Sequence, residues 1–172
     1  MEIVWLLIDT FLVCFLFVFL MLVMAMTIRK FSDSKRKERK KIVIYLAGPM
    51  HNCNNSQMNN WRQKAKNYFK DYDYVKFLDP VEKEEINMKG AVEGDKEMIK
   101  KSTVVIANCW KFSVGTMMEI IYAWENGIPV YVISKKKGIR ENWWMIYHSK
   151  LVMKEAWRVF SYVRQDYCKG VE

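Results

Sequence analysis

A serine, a glycine and a glutamate stand at fixed intervals in S-V-G-T-M-M-E, residues 113–119. Ser113 is suited to cap a helix, leaving the amides of Val114, Gly115 and Thr116 facing outward. Free N–H groups and the dipole of such a terminus bind phosphate. Glu119 lies six residues on, at most about 9 Å along a helix axis from Ser113, and side chains lean back toward the N-terminus. That distance matches the reach from a 5′-phosphate to the anomeric carbon of the same sugar. An ordinary cap followed by an exposed glutamate fits the spacing equally. The segment is neither a Walker loop, since it has no glycine-lysine pair, nor a Rossmann G-x-G-x-x-G.

Other residues stand where chemistry is possible. Y-L-A-G-P-M, residues 45–50, ends a β-branched run, and Gly48 there permits a ligand to approach the backbone or simply makes a turn. Asp95 precedes a strand by eight residues. It is either a first-turn acid favoured by the helix dipole or a second active-site carboxylate. Asp79-Pro80 either lines a pocket or ends a strand. His51 falls in a polar loop, and Trp143-Trp144 reads as a packing or dimer contact. Cys14, Cys53, Cys109 and Cys168 are scattered and only His51 and His148 accompany them, so neither metal-ligand spacing nor a disulfide framework is present. No metal and no cofactor are expected.

The elements that position these residues alternate. IVIYLAG after Lys41, Tyr74–Leu78, Thr103–Asn108, Pro129–Ser134 and Leu151–Met153 read as strands. Helices are predicted from about Gln57 to Lys70 with Ser56 as cap, from Ala91 to Lys101, from Ser113 to Trp124, from Asn142 to His148, and from Lys154 to Tyr167. Residues 81–90 read as loop. Strands separated by helices imply an α/β fold, a Rossmann-like parallel sheet of about five strands in flavodoxin-like order with helices on both faces. Ligands in such folds sit beyond the C-terminal ends of the strands, which is where Gly48, Asp79 and Ser113 fall.

The patterns I-Y-L-A-G-P, D-x-x-x-I-x-x-S-x-V-V-I-A-N, S-V-G-T-x-x-E-I-x-x-A and G-I-P-V occur in order across residues 41–135. Together they resemble the nucleoside 2′-deoxyribosyltransferase superfamily, which includes the 2′-deoxynucleoside 5′-monophosphate N-glycosidases. The resemblance implies double-displacement chemistry at an anomeric carbon, with Glu119 as nucleophile and Asp95 as the acid facing the leaving base. It implies that Tyr45 orients the nucleophile and that Gly48 lines the sugar pocket. Of two adjacent carboxylates, one stays charged and one is able to donate. In the hydrolase branch a serine at the position of Ser113 binds the 5′-phosphate, where the transferases carry aspartate. The substrate-binding set is then Gly48, Ser113, Gly115, Asp79 and Asn142, the last contributed across a homodimer. The pattern departs after Glu119, where I-I-Y-A-W lacks the usual glycine, and at Met117 and Met118. Transfer of deoxyribose between bases, or nucleotide sensing without turnover, are the alternative activities.

Residues 10–27 contain no charge, and with the preceding apolar residues they are long enough for a membrane helix. Glu2 at the start and the length of the run argue against a cleaved signal. R-K-F-S-D-S-K-R-K-E-R-K-K, residues 29–41, has eight Lys/Arg, and the positive-inside rule places it in the cytoplasm. Three parts are expected: an anchor over 1–28, a basic linker over 29–41 and a cytoplasmic catalytic domain over 42–172. Residues 1–41 carry eight basic and four acidic side chains, nearly half of the net charge of +9. With no basic stripe or known motif beyond them, a nucleic-acid partner is not expected.

Overall fold

Short runs of β-branched residues flanked by polar turns form the strands of a computed structural model, which describes residues 15–31, 40–82 and 87–168. The chain divides into two compact units, Met1–Lys40 and Lys41–Glu172. In the first, residues 15–31 form helix α1, whose apolar side chains are exposed. Among the described residues no helix is long and apolar enough to cross a membrane. Residues 1–14 of the predicted anchor and 32–39 of the predicted linker lie outside the described residues.

The second unit runs β1 (Ile42–Ala47), α2 (Asn55–Tyr68), β2 (Val75–Leu78), a 3₁₀ turn (Pro80–Glu82), α3 (Met88–Lys101), β3 (Val104–Asn108), α4 (Val114–Glu125), β4 (Val130–Ile133), α5 (Lys137–Arg140), α6 (Trp143–Tyr147), β5 (Leu151–Met153) and α7 (Ala156–Tyr167). All pairings are parallel, and the order is β2-β1-β3-β4-β5. This is the predicted five-stranded parallel α/β sheet. Successive strand residues point to opposite faces. Ile44, Leu46, Ile106 and Tyr131 pack with Trp61, Ala65 and Phe69 of α2 and Phe160 of α7. Tyr45, Ala47, Val105 and Val132 face the other way, toward Ile99 of α3 and Ile120 and Ala123 of α4.

Helix starts differ from the sequence expectation where two polar residues compete for the cap. Asn54, not Ser56, caps α2: its side chain accepts from the Gln57 N–H, and Gln57 accepts in return from the Asn54 N–H. Helix α3 begins three residues before Ala91 because Asn87 accepts from the Gly90 N–H. Asp95 therefore sits in mid-helix, which removes the first-turn dipole reading. At the end of α4, Gly127, at φ +71°, takes the left-handed position after the Asn126 cap.

Candidate active site

Because Tyr45 lies on the α3/α4 face of the interior strand β1, its phenol reaches helix α4. The Tyr45 hydroxyl donates to Glu119 Oε1 at 2.7 Å. Tyr45 is fully buried and Glu119 is half-buried. Burial pushes the Glu119 carboxyl up to about 8, the Tyr45 hydrogen bond lowers it, Asp95 raises it again, and the Arg62 charge lowers it. Burial also raises Tyr45, with Glu119 and then Asp95 adding to the effect. The structure thus brings together Tyr45, Asp95 and Glu119, contributed by β1, α3 and α4. Cys109 lies below them, its thiol pushed up to about 12 by burial and then by Glu119. It is neutral at physiological pH and so not an activated thiolate.

Helix α4 begins at the C-terminal rim of the sheet with Ser113 as cap, its Oγ accepting from the Thr116 N–H at 3.4 Å. One of the three amides expected to face outward is therefore used inside the turn. A Cβ built on Gly115 meets nothing within 4 Å, so packing does not require glycine there and the backbone borders open space. Thr116 is buried, and its hydroxyl makes no hydrogen bond among the described residues.

Gly48 answers to packing. A Cβ on it falls 2.8 Å from Trp61 Cζ2, so the close approach that glycine permits is that of an indole ring. The following loop is held by Lys111, whose ammonium donates to the carbonyls of His51 and Asn52 at 2.8 and 3.1 Å. Asn52 there has φ 53°.

Behind the site is a buried ion network that the sequence reading missed. Arg62 Nε is 3.0 Å from Asp79 Oδ1, and the two side chains are 1% and 2% exposed. The same guanidinium donates to the carbonyls of Met58 at 2.6 Å and Gly48 at 3.3 Å. Asp79 Oδ2 accepts from Lys66 at 2.7 Å, and Lys66 continues to Glu82 at 2.5 Å. Burial pulls Arg62 below the ordinary guanidinium value, opposed first by Asp79 and next by Glu119. Asp79, predicted to contact substrate, has its carboxylate turned to Arg62, Lys66 and the Val81 N–H. It anchors α2 to the end of β2. The available signal was the helical spacing of Arg62 and Lys66 opposite an acid at a strand end.

Asn142 caps α6, accepting from the amides of Trp144 and Met145. It borders an apolar cavity of about 350 Å³ with Phe112, Met117, Ile120 and Ile139. No hydrogen bond joins it to Tyr45 or Glu119 among the described residues. Three His, Cys, Asp or Glu side chains able to share a metal ion do not occur among the described residues.

A family model described as nucleoside 2-deoxyribosyltransferase matches residues 44–151. The chain belongs to that family and is an enzyme of the N-glycosyl-bond kind. No curated protein matches it. Among solved structures it is similar to the 2-desoxiribosyltransferase of Leishmania mexicana, at 19% identity and TM-score 0.60, covering 72% of this chain and 97% of that one. The 2-deoxyribosyltransferase of Bacillus psychrosaccharolyticus follows at 21% identity and TM-score 0.56, with 70% and 91% covered. The CMP N-glycosidase BcmB of Clostridium botulinum aligns at 15% identity and TM-score 0.51, with 72% and 98% covered. These likenesses agree with the fold of the second unit.

Proposed function

We propose that this chain is a membrane-tethered N-glycosidase that cleaves a (2′-deoxy)nucleoside 5′-monophosphate into free base and sugar 5-phosphate. The observation that carries the reading is the Tyr45–Glu119 hydrogen bond on a helix that starts at Ser113. A Glu119 carboxylate oxygen attacks the anomeric carbon, and the base leaves with the bonding electron pair, taking a proton from Asp95. Water then attacks the same carbon of the glycosyl ester and passes its proton to Asp95, freeing Glu119. Ser113 and the open backbone at Gly115 hold the 5′-phosphate, where an aspartate would repel it. The uncharged run of residues 10–27 and the basic residues after it tether the catalytic unit on the cytoplasmic side. Full-length protein incubated with a panel of nucleoside monophosphates is expected to release base, with the activity in the carbonate-resistant membrane fraction. Folded protein that releases no base from any of them overturns the reading. New nucleoside formed on adding an acceptor base would establish transfer instead, the reaction named in the description of the matching family.

The enzyme acts as a homodimer in this reading. Trp143 is 86% exposed beside Trp144, and Phe112, Val114 and Met118 are also uncovered. A second copy seated on this face buries them and carries Asn142 toward the partner's cleft. Sedimentation of the full chain in detergent is expected to give twice the chain mass, and Trp144→Asp to lower it. A monomeric wild type excludes the dimer.

A further inference from the structure

On the sheet face opposite Tyr45, the ends of β3, β4 and β5 and the starts of α2 and α7 border a second cavity of about 670 Å³. Its size is that of a small-molecule site, for which a few hundred to about 1,000 Å³ is usual. Asn108 and Ile133 reach it from the strands, and neither Tyr45 nor Glu119 borders it. The wall includes the tryptophans Trp61, Trp110 and Trp157 and the lysines Lys64, Lys135 and Lys154.

Trp61 is held by the core and by Gly48, but packing accounts neither for Trp157 nor for the lysines. Trp157 is 59% exposed although Val159 and Phe160 on the same helix supply the core. The indole N–H groups of Trp61 and Trp110 are buried and make no hydrogen bond among the described residues. Lys64 and Lys135 pair with no carboxylate among the described residues, and Lys154 is only 4.0 Å from Glu155. Glu155 is the one acid on the wall, so three ammonium groups face one carboxylate. Aromatic faces take planar rings by stacking, and clustered ammonium groups take phosphate oxygens. A bare anion has no use for three indoles, and an uncharged ring has none for three lysines.

We propose that this cavity is a second, non-catalytic nucleotide site, with the base against the tryptophans and the phosphates among Lys64, Lys135 and Lys154. It is separate from the Glu119 cleft, although Trp110 and Ser113 share the connection between β3 and α4. The test is calorimetric titration of the full-length Glu119→Gln protein in detergent with ribonucleoside mono- and triphosphates. Inorganic phosphate and adenosine serve as single-feature controls. At least one nucleotide is expected to bind saturably. The exposed-lysine variant Lys135→Glu/Lys154→Glu is expected to weaken that binding at least tenfold, and Trp157→Ala to weaken it independently. In chains with Glu119 intact, the double lysine variant leaves turnover at saturating substrate unchanged. Absence of binding, binding that survives the double variant, or phosphate binding as tightly as the nucleotide would each overturn the proposal. The binding readout does not need turnover, so its failure is distinct from a failure of the N-glycosidase reading.

Discussion

Glu119→Gln is expected to lower base release by at least about a thousandfold while leaving the fold intact, because an amide cannot form the glycosyl ester. Its carbonyl oxygen still accepts from the Tyr45 hydroxyl, so the geometry at 2.7 Å has no reason to change. The wild-type pH profile carries the same assignment. Burial raises Glu119 to about 8, and the nucleophile is the deprotonated form, so kcat/KM of the free enzyme has a rising limb set by Glu119, and it falls again where Asp95 loses the proton it must donate. Tyr45→Phe removes a hydrogen bond that lowers the Glu119 pKa, and moves the rising limb to higher pH. Stability runs in the opposite sense. A carboxyl whose folded value exceeds its ordinary 4.5 favours folding while protonated, an advantage complete below the unfolded value and lost as pH rises through about 8. The melting temperature of Glu119→Gln should therefore exceed the wild type's at pH 9 by more than at pH 5. A melting difference that does not change with pH, or turnover within tenfold of wild type, would remove Glu119 from the nucleophile's role.

The order of the sheet was legible because β1, β3 and β4 are buried on both faces and so read as unbroken apolar, largely β-branched runs. Tyr45, Asp95 and Glu119 were singled out by the family pattern, because spacing alone left Glu119 and Asp95 between two readings and said nothing of Tyr45. Helix starts were less so, since Asn54 and Ser56, or Asn87 and the charged stretch before it, offer competing caps of similar strength. Gly48 was placed in the correct turn, but its neighbour, Trp61, lies thirteen residues on and only packing reveals it. The short helix α5, over Lys137–Arg140, has no side-chain cap and no buried residue, hence no periodic signal. Arg62 was missed for the converse reason: a basic residue on an amphipathic helix ordinarily points to solvent, and burying it is tolerable only beside Asp79, seventeen residues away.

That pairing makes Asp79 the residue whose loss should damage the fold most. Asp79→Ala leaves the Arg62 guanidinium buried without a carboxylate, whereas Lys66 keeps Glu82. Breaking one side of a buried ion pair costs about 3–5 kcal/mol, since the remaining charge loses water and partner together. In a unit of this size that lowers the melting temperature by roughly 10–15 °C. Asp79→Asn keeps an oxygen near Arg62 Nε and should cost less than half as much. Thermal unfolding of both variants checks the order. A substrate-contacting aspartate would behave differently, raising KM in both variants with little effect on melting. The two roles also differ in what a second change does. Arg62→Met added to Asp79→Ala removes the stranded charge, so the double variant should be more stable than Asp79→Ala alone. Recovery of stability is not expected to restore turnover, because Arg62 also holds the Gly48 carbonyl and its charge helps keep Glu119 ionised.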